Sequence, residues 1–192
     1  MHETLSAGQI SMSFRFSLEG FGHEGFALVA LDDSAEGNAE GNTLASGGGC
    51  LGYGDHMECG SEGHTPLLGW MVEFDTNVNT WDPTEGNHVA FVLQGEQDSH
   101  IFWTDIEEIQ DNGWHEVNVS VLDGIFQIEL DGVLLLEEIL MDNQDVVQHW
   151  ENGLSFPAYI GFTGSGSAGT QLVVDDLYVI EPTCSLESSS IR

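Results

Sequence analysis

The segment from Trp70 to Val92 most constrains how this chain can fold. It opens with the letters WMVEFD, in which apolar residues recur at every second position. Successive side chains of a β-strand point to opposite faces. We therefore predict a strand that packs its tryptophan, valine and phenylalanine into a core and places Glu73 and Asp75 side by side on the other face.

Polar residues continue along the same segment beyond this strand. If the chain stays extended, Asn77 and Asn79 follow on the side of the two carboxylates. The proline after Asp82 ends the strand, because proline lacks the amide donor of a sheet ladder. Gly86 allows the chain to double back, and His88 begins a new apolar run. One short segment thus brings carboxylates, amides and an imidazole together.

The chemistry of this polar set is that of a cation site. Carboxylate, amide and carbonyl oxygens suit calcium, and an imidazole suits a transition ion such as manganese. A surface hairpin with solvated side chains is the alternative, but the spacing E-x-D-x-N-x-N followed by D-P and H favours a metal. The predicted metal ligands are Glu73, Asp75, Asn77, Asn79, Asp82 and His88.

This spacing resembles the metal loop of the legume-type (L-type) lectins, which have the concanavalin A-like jelly roll, and the similarity extends from Ser11 to Val179. The resemblance implies a transition ion, Mn²⁺ or another, held by Glu73, Asp75, Asp82 and His88. It implies Ca²⁺ held by Asp75, Asp82, the Asn77 carbonyl and the Asn79 amide oxygen. Only two residues separate Asn79 from Asp82, fewer than in the plant lectins, so a site for calcium alone is an alternative.

The resemblance also implies a set of sugar-binding residues. Glu24 stands where the lectins have an aspartate that accepts hydrogen bonds from sugar hydroxyls, and a glutamate that faces water is the alternative. The segment LASGGGCLGY resembles the family's G-G-x-L-G loop, and segment 163–170 matches its variable specificity loop. Trp81 is the candidate aromatic platform, with a core position as the alternative. The implied sugar contacts are Glu24, Gly48, Gly49, Asn79, Trp81, Gly164 and Ser165.

Short alternating strands fill the rest of the chain. Clear examples are segments 10–18, 26–31, 89–93, 100–103, 117–121 and 126–130. Asp123-Gly124 and Asp131-Gly132 predict tight hairpins, because both dipeptides suit the positive φ angles of type I′ turns. One helical turn is expected at 145–150. So many strands with almost no helix predict an all-β, antiparallel β-sandwich, which the resemblance identifies as a concanavalin A-like jelly roll.

The length of 192 residues suits one domain, 1–181, followed by a Ser-rich tail or linker at 182–192. Asp and Glu number 33 against 2 Lys and Arg, and such an acidic protein repels nucleic acid and anionic membrane surfaces. This acidity is typical of a bacterial or marine, halophilic protein, and an ordinary acidic secreted protein is the alternative. No apolar run reaches the roughly eighteen residues of a membrane span, so membrane insertion is not expected.

Two cysteines flank a glycine-rich segment. Cys50 and Cys59 are predicted to form a disulfide, which places the protein in an oxidising compartment and therefore outside the cell or on its surface. A zinc site that joins both thiols to His56 and His64 is the alternative, although its spacing is unlike that of a zinc finger. Cys184 is left without a partner in this pairing.

The function that the sequence favours is calcium-dependent binding of glycans without catalysis, as in cell-surface or extracellular adhesion. One alternative is a metal-stabilised structural or adhesion module that binds a protein partner. Another is a β-glucanase-type glycoside hydrolase, which uses two carboxylates in the pattern E-x-D-x-x-E. Val78 stands at the last position of that pattern, so the second catalytic carboxylate is missing and no catalytic residue is predicted.

Overall fold

The computed structural model of the chain describes residues 5–35, 45, 47–54, 66–96, 100–149, 154 and 156–181. The strands are β1 (Leu5–Ser6), β2 (Ile10–Glu19), β3 (His23–Asp32), β4 (Gly69–Asp75), β5 (His88–Leu93), β6 (His100–Asp105), β7 (His115–Leu122), β8 (Ile125–Leu130), β9 (Val133–Ile139), β10 (Pro157–Gly166) and β11 (Gln171–Ile180). One α-helix, α1, spans Gln144–His149, and single 3-10 turns span Gly48–Cys50 and Leu140–Asp142.

These strands form two sheets. The front sheet has six strands in the order β1-β10-β3-β4-β5-β6, and the back sheet has five in the order β11-β2-β7-β8-β9. Each of the nine pairings between neighbouring strands is antiparallel. The predicted all-β antiparallel sandwich is confirmed.

Apolar residues at alternate positions fill the space between the sheets. In β2 and β7 buried residues alternate with half-buried or exposed ones, so each strand turns one face to the core. Phe91 of the front sheet packs against Phe126 of the back sheet with ring centroids 4.6 Å apart. Phe26 stacks on Phe74 within the front sheet at 4.7 Å. Complete burial of side chains of this size contributes about 1.5–3 kcal/mol each, which is what holds the two layers together.

Two hairpins of the back sheet have the turns that the sequence predicts. Asp123 and Gly124 join β7 to β8 with φ angles of 51° and 78°. Asp131 and Gly132 join β8 to β9 with φ angles of 52° and 77°. Both central residues of a type I′ turn require φ > 0, and this turn matches the twist of the flanking strands.

Strand β4 is buried on both of its faces. Its residues Trp70, Val72 and Phe74 belong to the core between the sheets, as the alternation predicts. Met71 on the opposite face belongs to a second apolar cluster, which includes Tyr53 from the segment 47–54. The carboxylates of the same face therefore lie beneath a covering loop instead of facing solvent.

The bounds of two predicted elements differ slightly from those observed, and some predicted residues fall outside the described part of the chain. The helical turn is α1, one residue earlier than expected. The hairpin tip between β10 and β11 is shorter than segment 163–170 because β10 extends into that segment as far as Gly166. Cys59, His56, His64, Cys184 and the tail 182–192 lie outside the described residues. In the part of the chain that the structure describes, no helix combines the length and apolarity of a membrane span.

Candidate functional site

The polar residues of the segment 73–88 converge at one end of the front sheet. Strand β4 ends at Asp75, and strand β5 begins at His88, which is its cross-strand partner. On the other side Asp75 pairs with Gly25 of β3. Glu73, two positions earlier, shares the face of Asp75, so three adjacent strands position the two carboxylates and the imidazole.

Glu73 is the most deeply enclosed acid of this site. Its residue is 1% exposed. The Tyr53 hydroxyl donates a hydrogen bond to its Oε2 atom. His88 Nε2 lies 3.1 Å from its Oε1 atom, and His100 Nε2 lies 2.8 Å from the same oxygen. Burial alone would raise the pKa of Glu73, but the two histidines outweigh it and lower the pKa to about 2.

Asp75 is in the opposite electrostatic situation. It is 2% exposed, and burial together with the nearby charge of Glu73 raises its pKa to about 8. The amide of Asn77 donates a 2.8 Å hydrogen bond to Asp75 Oδ1, which is too little to offset that cost. The ionised form of Asp75 therefore calls for a positive charge beside it.

Asp82 brings a third carboxylate to the same place. Its Oδ2 atom accepts a hydrogen bond from the amide of Asn79. Its Oδ1 atom is buried and has no hydrogen-bond partner among the described residues. A buried carboxylate oxygen is costly without a partner, and a cation bound between Asp82 and Asp75 would provide one.

The described residues thus fit a metal ion. Two sets of side chains place one ligand atom each within 4.8 Å of one another: Asp75, Asp82 and His88 form one set, and Glu73, His88 and His100 form the other. The first set is rich in oxygen, and the second is rich in nitrogen. Every metal ligand predicted from the sequence lies at this end of the sheet.

The predicted sugar-binding segments lie close to one another and to the loop that contains Asn77 and Asn79. A Cβ atom added at Gly49 would lie 2.4 Å from Asn79 Oδ1, so this glycine packs directly on the Asn79 carboxamide. The Gly48 amide donates a 2.7 Å hydrogen bond to Ser165 Oγ, which joins the glycine-rich loop to the end of β10. Asn77 Nδ2 donates a hydrogen bond to Glu24 of β3.

An open cavity of about 580 Å³ lies beside Asn79. Its lining residues are Val78, Asn79, Thr80, Asp82, Pro83, Thr84 and Glu85. Trp81 is half-buried and is not among them. Gly164 lies close to β3, since a Cβ atom there would be 3.2 Å from the Gly25 carbonyl oxygen.

Cys50 follows the glycines of this loop. It is fully buried and disulfide-bonded. Cys59, the partner that the sequence predicts, lies outside the described residues, so this pairing stays a prediction.

Two residues of the site are absent from the sequence-based prediction. Tyr53 reaches Glu73 across the chain from the covering loop, and His100 reaches it from β6. The signal for His100 was its place at the start of a strand that follows the one containing His88, so that both could lie on the same face. Tyr53 offered no comparable signal, because its position depends on how the loop folds over β4.

The sequence matches no protein-family model, and no curated protein is significantly similar to it. Solved structures do match. The winged bean acidic lectin complexed with methyl-α-D-galactose is 17% identical, with a TM-score of 0.62 over 92% of this chain and 70% of that one.

Two domains from other proteins match at similar scores. The exoplasmic/lumenal domain of VIP36 in its Ca²⁺/Man-bound form is 13% identical, with a TM-score of 0.63 over 94% of this chain and 71% of that one. The Emp46p carbohydrate recognition domain in its potassium-bound form is 12% identical, with a TM-score of 0.59 over 95% and 76%. Identities this low establish the architecture alone. The chain therefore has the fold of the L-type lectins.

Proposed function

We propose that this domain binds carbohydrate reversibly, that a calcium ion is needed for binding, and that no chemical step follows. The observation that carries the proposal is the side chain of Asn79. Its Nδ2 atom is buried and has no hydrogen-bond partner among the described residues. A donor held in this way is suited to the hydroxyl group of a ligand.

Calcium would be held by the oxygen-rich part of the site. Asp75 and Asp82 supply carboxylates, and Asn77 and Asn79 would add a backbone carbonyl and an amide oxygen, which are ligands that calcium prefers. The ion would balance the charge of Asp75, whose pKa is otherwise raised to about 8 by burial and by Glu73. It would also give Asp82 Oδ1 a partner.

The ion would act by fixing the loop. With its oxygen on the metal, the Asn79 carboxamide would point Nδ2 outward as a donor. Glu24 would accept a hydrogen bond from the sugar, provided that it releases Asn77 or shares the contact. The Gly48 amide already donates to Ser165, so Gly49 is the better candidate for the donor of the glycine loop.

The aromatic contact is a separate proposal. Trp81 is half-buried, and we propose that it packs against the apolar face of the sugar at the rim of the site. Gly164 and Ser165 would form the opposite rim.

Solved structures with this fold support the proposal. The winged bean lectin was solved with methyl-α-D-galactose and the VIP36 domain with Ca²⁺ and mannose. Val78 in place of an acid supports a binding function over hydrolysis. An oxidised Cys50 supports a location outside the reducing cytosol, and we propose an extracellular or cell-surface role in glycan adhesion.

A glycan array tests this function. The protein, stripped with EDTA and then reloaded with Ca²⁺, should bind a defined group of glycans, and the EDTA-treated sample should bind none. If the calcium-loaded protein binds no glycan, the proposal is rejected. A module that used calcium only to stabilise its fold would show a thermal shift with Ca²⁺ and an empty array.

A further inference from the structure

Strand β9 forms one edge of the back sheet. It is the last strand in the order β11-β2-β7-β8-β9, so β8 pairs with one side of it, and its other side has no strand partner among the described residues. The first four residues of β9, 133–136, are Val and Leu and carry no charge. An unpaired edge without charges is a template for an additional strand from another polypeptide.

The opposite edge of the same sheet is protected in a way that the start of β9 is not. Strand β11 carries Asp175 and Asp176 near its middle, and its register with β2 shifts at that point. Proteins commonly protect their edge strands with such irregularities and with charged side chains, lysine above all. This chain contains no lysine, and residues 133–136 have no charged side chain in its place.

Exposed apolar side chains accompany the edge at β9. Ile125 and Ile139 are cross-strand partners on the outer face of β8 and β9, and they are 39% and 55% exposed. Met141 is exposed beside them, since a Cβ atom added at Gly124 would lie 3.9 Å from its Cγ atom. Leu134 is exposed towards the other end of the strand. A cluster of apolar side chains at the surface is typical of an interaction site.

An open groove of about 460 Å³ lies along this edge and contains both apolar and acidic groups. Glu137 pairs with Gln127, whereas Glu138 pairs with the buried Phe126. The two glutamates therefore point to opposite faces of β9, and a basic side chain on either face of an added strand would meet a carboxylate. The aliphatic stem of that side chain would pack on the apolar wall. The groove residues used here are Phe102, Ile125, Glu137, Glu138, Ile139 and Asp142.

We propose that β9 binds an extended segment of a partner protein in which basic residues alternate with apolar ones, and that this segment pairs with β9 as an additional strand. Charge selects the partner. The chain has a formal net charge of −31 at pH 7, so a second copy would bring like charge to Glu137 and Glu138, which is unfavourable. No residue of this edge belongs to the candidate glycan site, so the proposal is independent of glycan binding.

A short peptide of alternating arginine and valine, titrated into the whole protein in EDTA and without glycan, tests the proposal. We expect one peptide to bind per protein, and the largest changes in the amide NMR signals should lie in β9. The same peptide with N-methyl groups on its amides keeps its charge but cannot donate the hydrogen bonds of a sheet. It should bind at least about tenfold more weakly, because several such bonds are lost.

Two variants with the same change in net charge locate the binding edge. Ile139→Lys should weaken binding of the basic peptide by about tenfold or more, because it places a like charge at the contact. Ile180→Lys is the matched control, since Ile180 is also an exposed isoleucine but lies on β11 at the opposite edge of the sheet. It should bind the peptide as the wild type does. Both side chains are exposed, so both variants should fold, which circular dichroism checks.

The proposal is overturned if the peptide does not bind, or if Ile139→Lys binds it as tightly as the wild type. Equal affinity for the N-methylated peptide would also overturn it, because charge attraction alone would then explain binding. Light scattering should show a monomer, and a dimer that Ile139→Lys disrupts would assign the edge to a second copy and reject the partner segment. None of these readouts involves calcium or sugar, so a failure here is distinct from a failure of glycan binding.

Discussion

Gly49 lies against the carboxamide of Asn79 so closely that a methyl group at position 49 would be 2.4 Å from Asn79 Oδ1 and 2.6 Å from its Nδ2 atom. The glycine-rich loop and the metal loop thus share one contact surface, although 30 positions of sequence separate these two residues. The absence of a side chain at Gly49 allows the carboxamide to sit where calcium and sugar would both reach it.

Gly49→Ala should therefore weaken glycan binding. The Asn79 side chain would have to turn away from the new methyl group, and we expect at least a tenfold loss of affinity, equivalent to about 1.4 kcal/mol. The melting temperature should change little, since a flexible side chain can move. Gly86→Ala is the matched control, because a Cβ atom there meets nothing within 4 Å. Equal glycan affinity in the two variants, measured by calorimetry, would show that the contact between Gly49 and Asn79 does not contribute to glycan binding.

Asp75→Asn should have opposite effects on the metal-free and the calcium-loaded protein. Burial and Glu73 disfavour the charged form of Asp75 and raise its pKa from the ordinary 3.8 to about 8. Between these two values the unfolded chain loses this proton and the folded protein keeps it, so the penalty on folding grows with pH and is complete above about pH 8. Removal of the charge should therefore raise the melting temperature of metal-free protein above about pH 4, with the full effect above about pH 8. Calcium loading at 100 times Kd should stabilise the wild type by about 2.7 kcal/mol, or roughly 5–10 °C in a domain of this size. The variant should lose most of that shift.

Differential scanning calorimetry with EDTA and with Ca²⁺ measures both effects. Asp123→Asn offers a control, since Asp123 is exposed in the turn between β7 and β8 of the back sheet. A calcium-induced shift in Asp75→Asn as large as that of the wild type would place the ion elsewhere.

Tyr53→Phe should destabilise the domain. Tyr53 is fully buried and donates to Glu73, and loss of a donor to a buried charged group costs about 1–3 kcal/mol. Tyr159→Phe is the comparison, because Tyr159 also interacts with a carboxylate, Asp33, but is only half-buried. Urea denaturation should show a lower free energy of unfolding for the first variant and almost no change for the second; equal values would indicate that Glu73 does not need this donor.

Much of the fold could be predicted from local patterns. Alternation located the strands of both sheets, because one buried face forces apolar residues to every second position. Asp123-Gly124 and Asp131-Gly132 identified two turns because few residues tolerate positive φ. The convergence of the six polar residues proposed as metal ligands was predictable because they lie within one strand, one loop and the next strand; that they bind a metal stays a prediction.

The remaining features depend on contacts between distant segments. Tyr53 and His100 come to Glu73 from other segments of the chain. The position of His100 at the start of a strand gave a weak signal, and nothing in the sequence placed Tyr53 at Glu73. The burial of Glu73 and Asp75 was also not predictable from the sequence, because the loop that covers them has a composition typical of a turn. Likewise, the sequence does not distinguish Gly48 from Gly49 as the sugar contact of the glycine-rich loop, and only the structure shows that Ser165 of β10 accepts a hydrogen bond from the Gly48 amide.

The most direct measurement is a calorimetric titration of an array-selected glycan into calcium-loaded wild type and into calcium-loaded Asn79→Ala. Asn118→Ala, a substitution on the back sheet, serves as the control. The wild type and the control should bind the glycan with the same affinity, and Asn79→Ala should show no measurable heat of binding while it still folds. Glycan binding by Asn79→Ala at the wild-type affinity would contradict the proposed site.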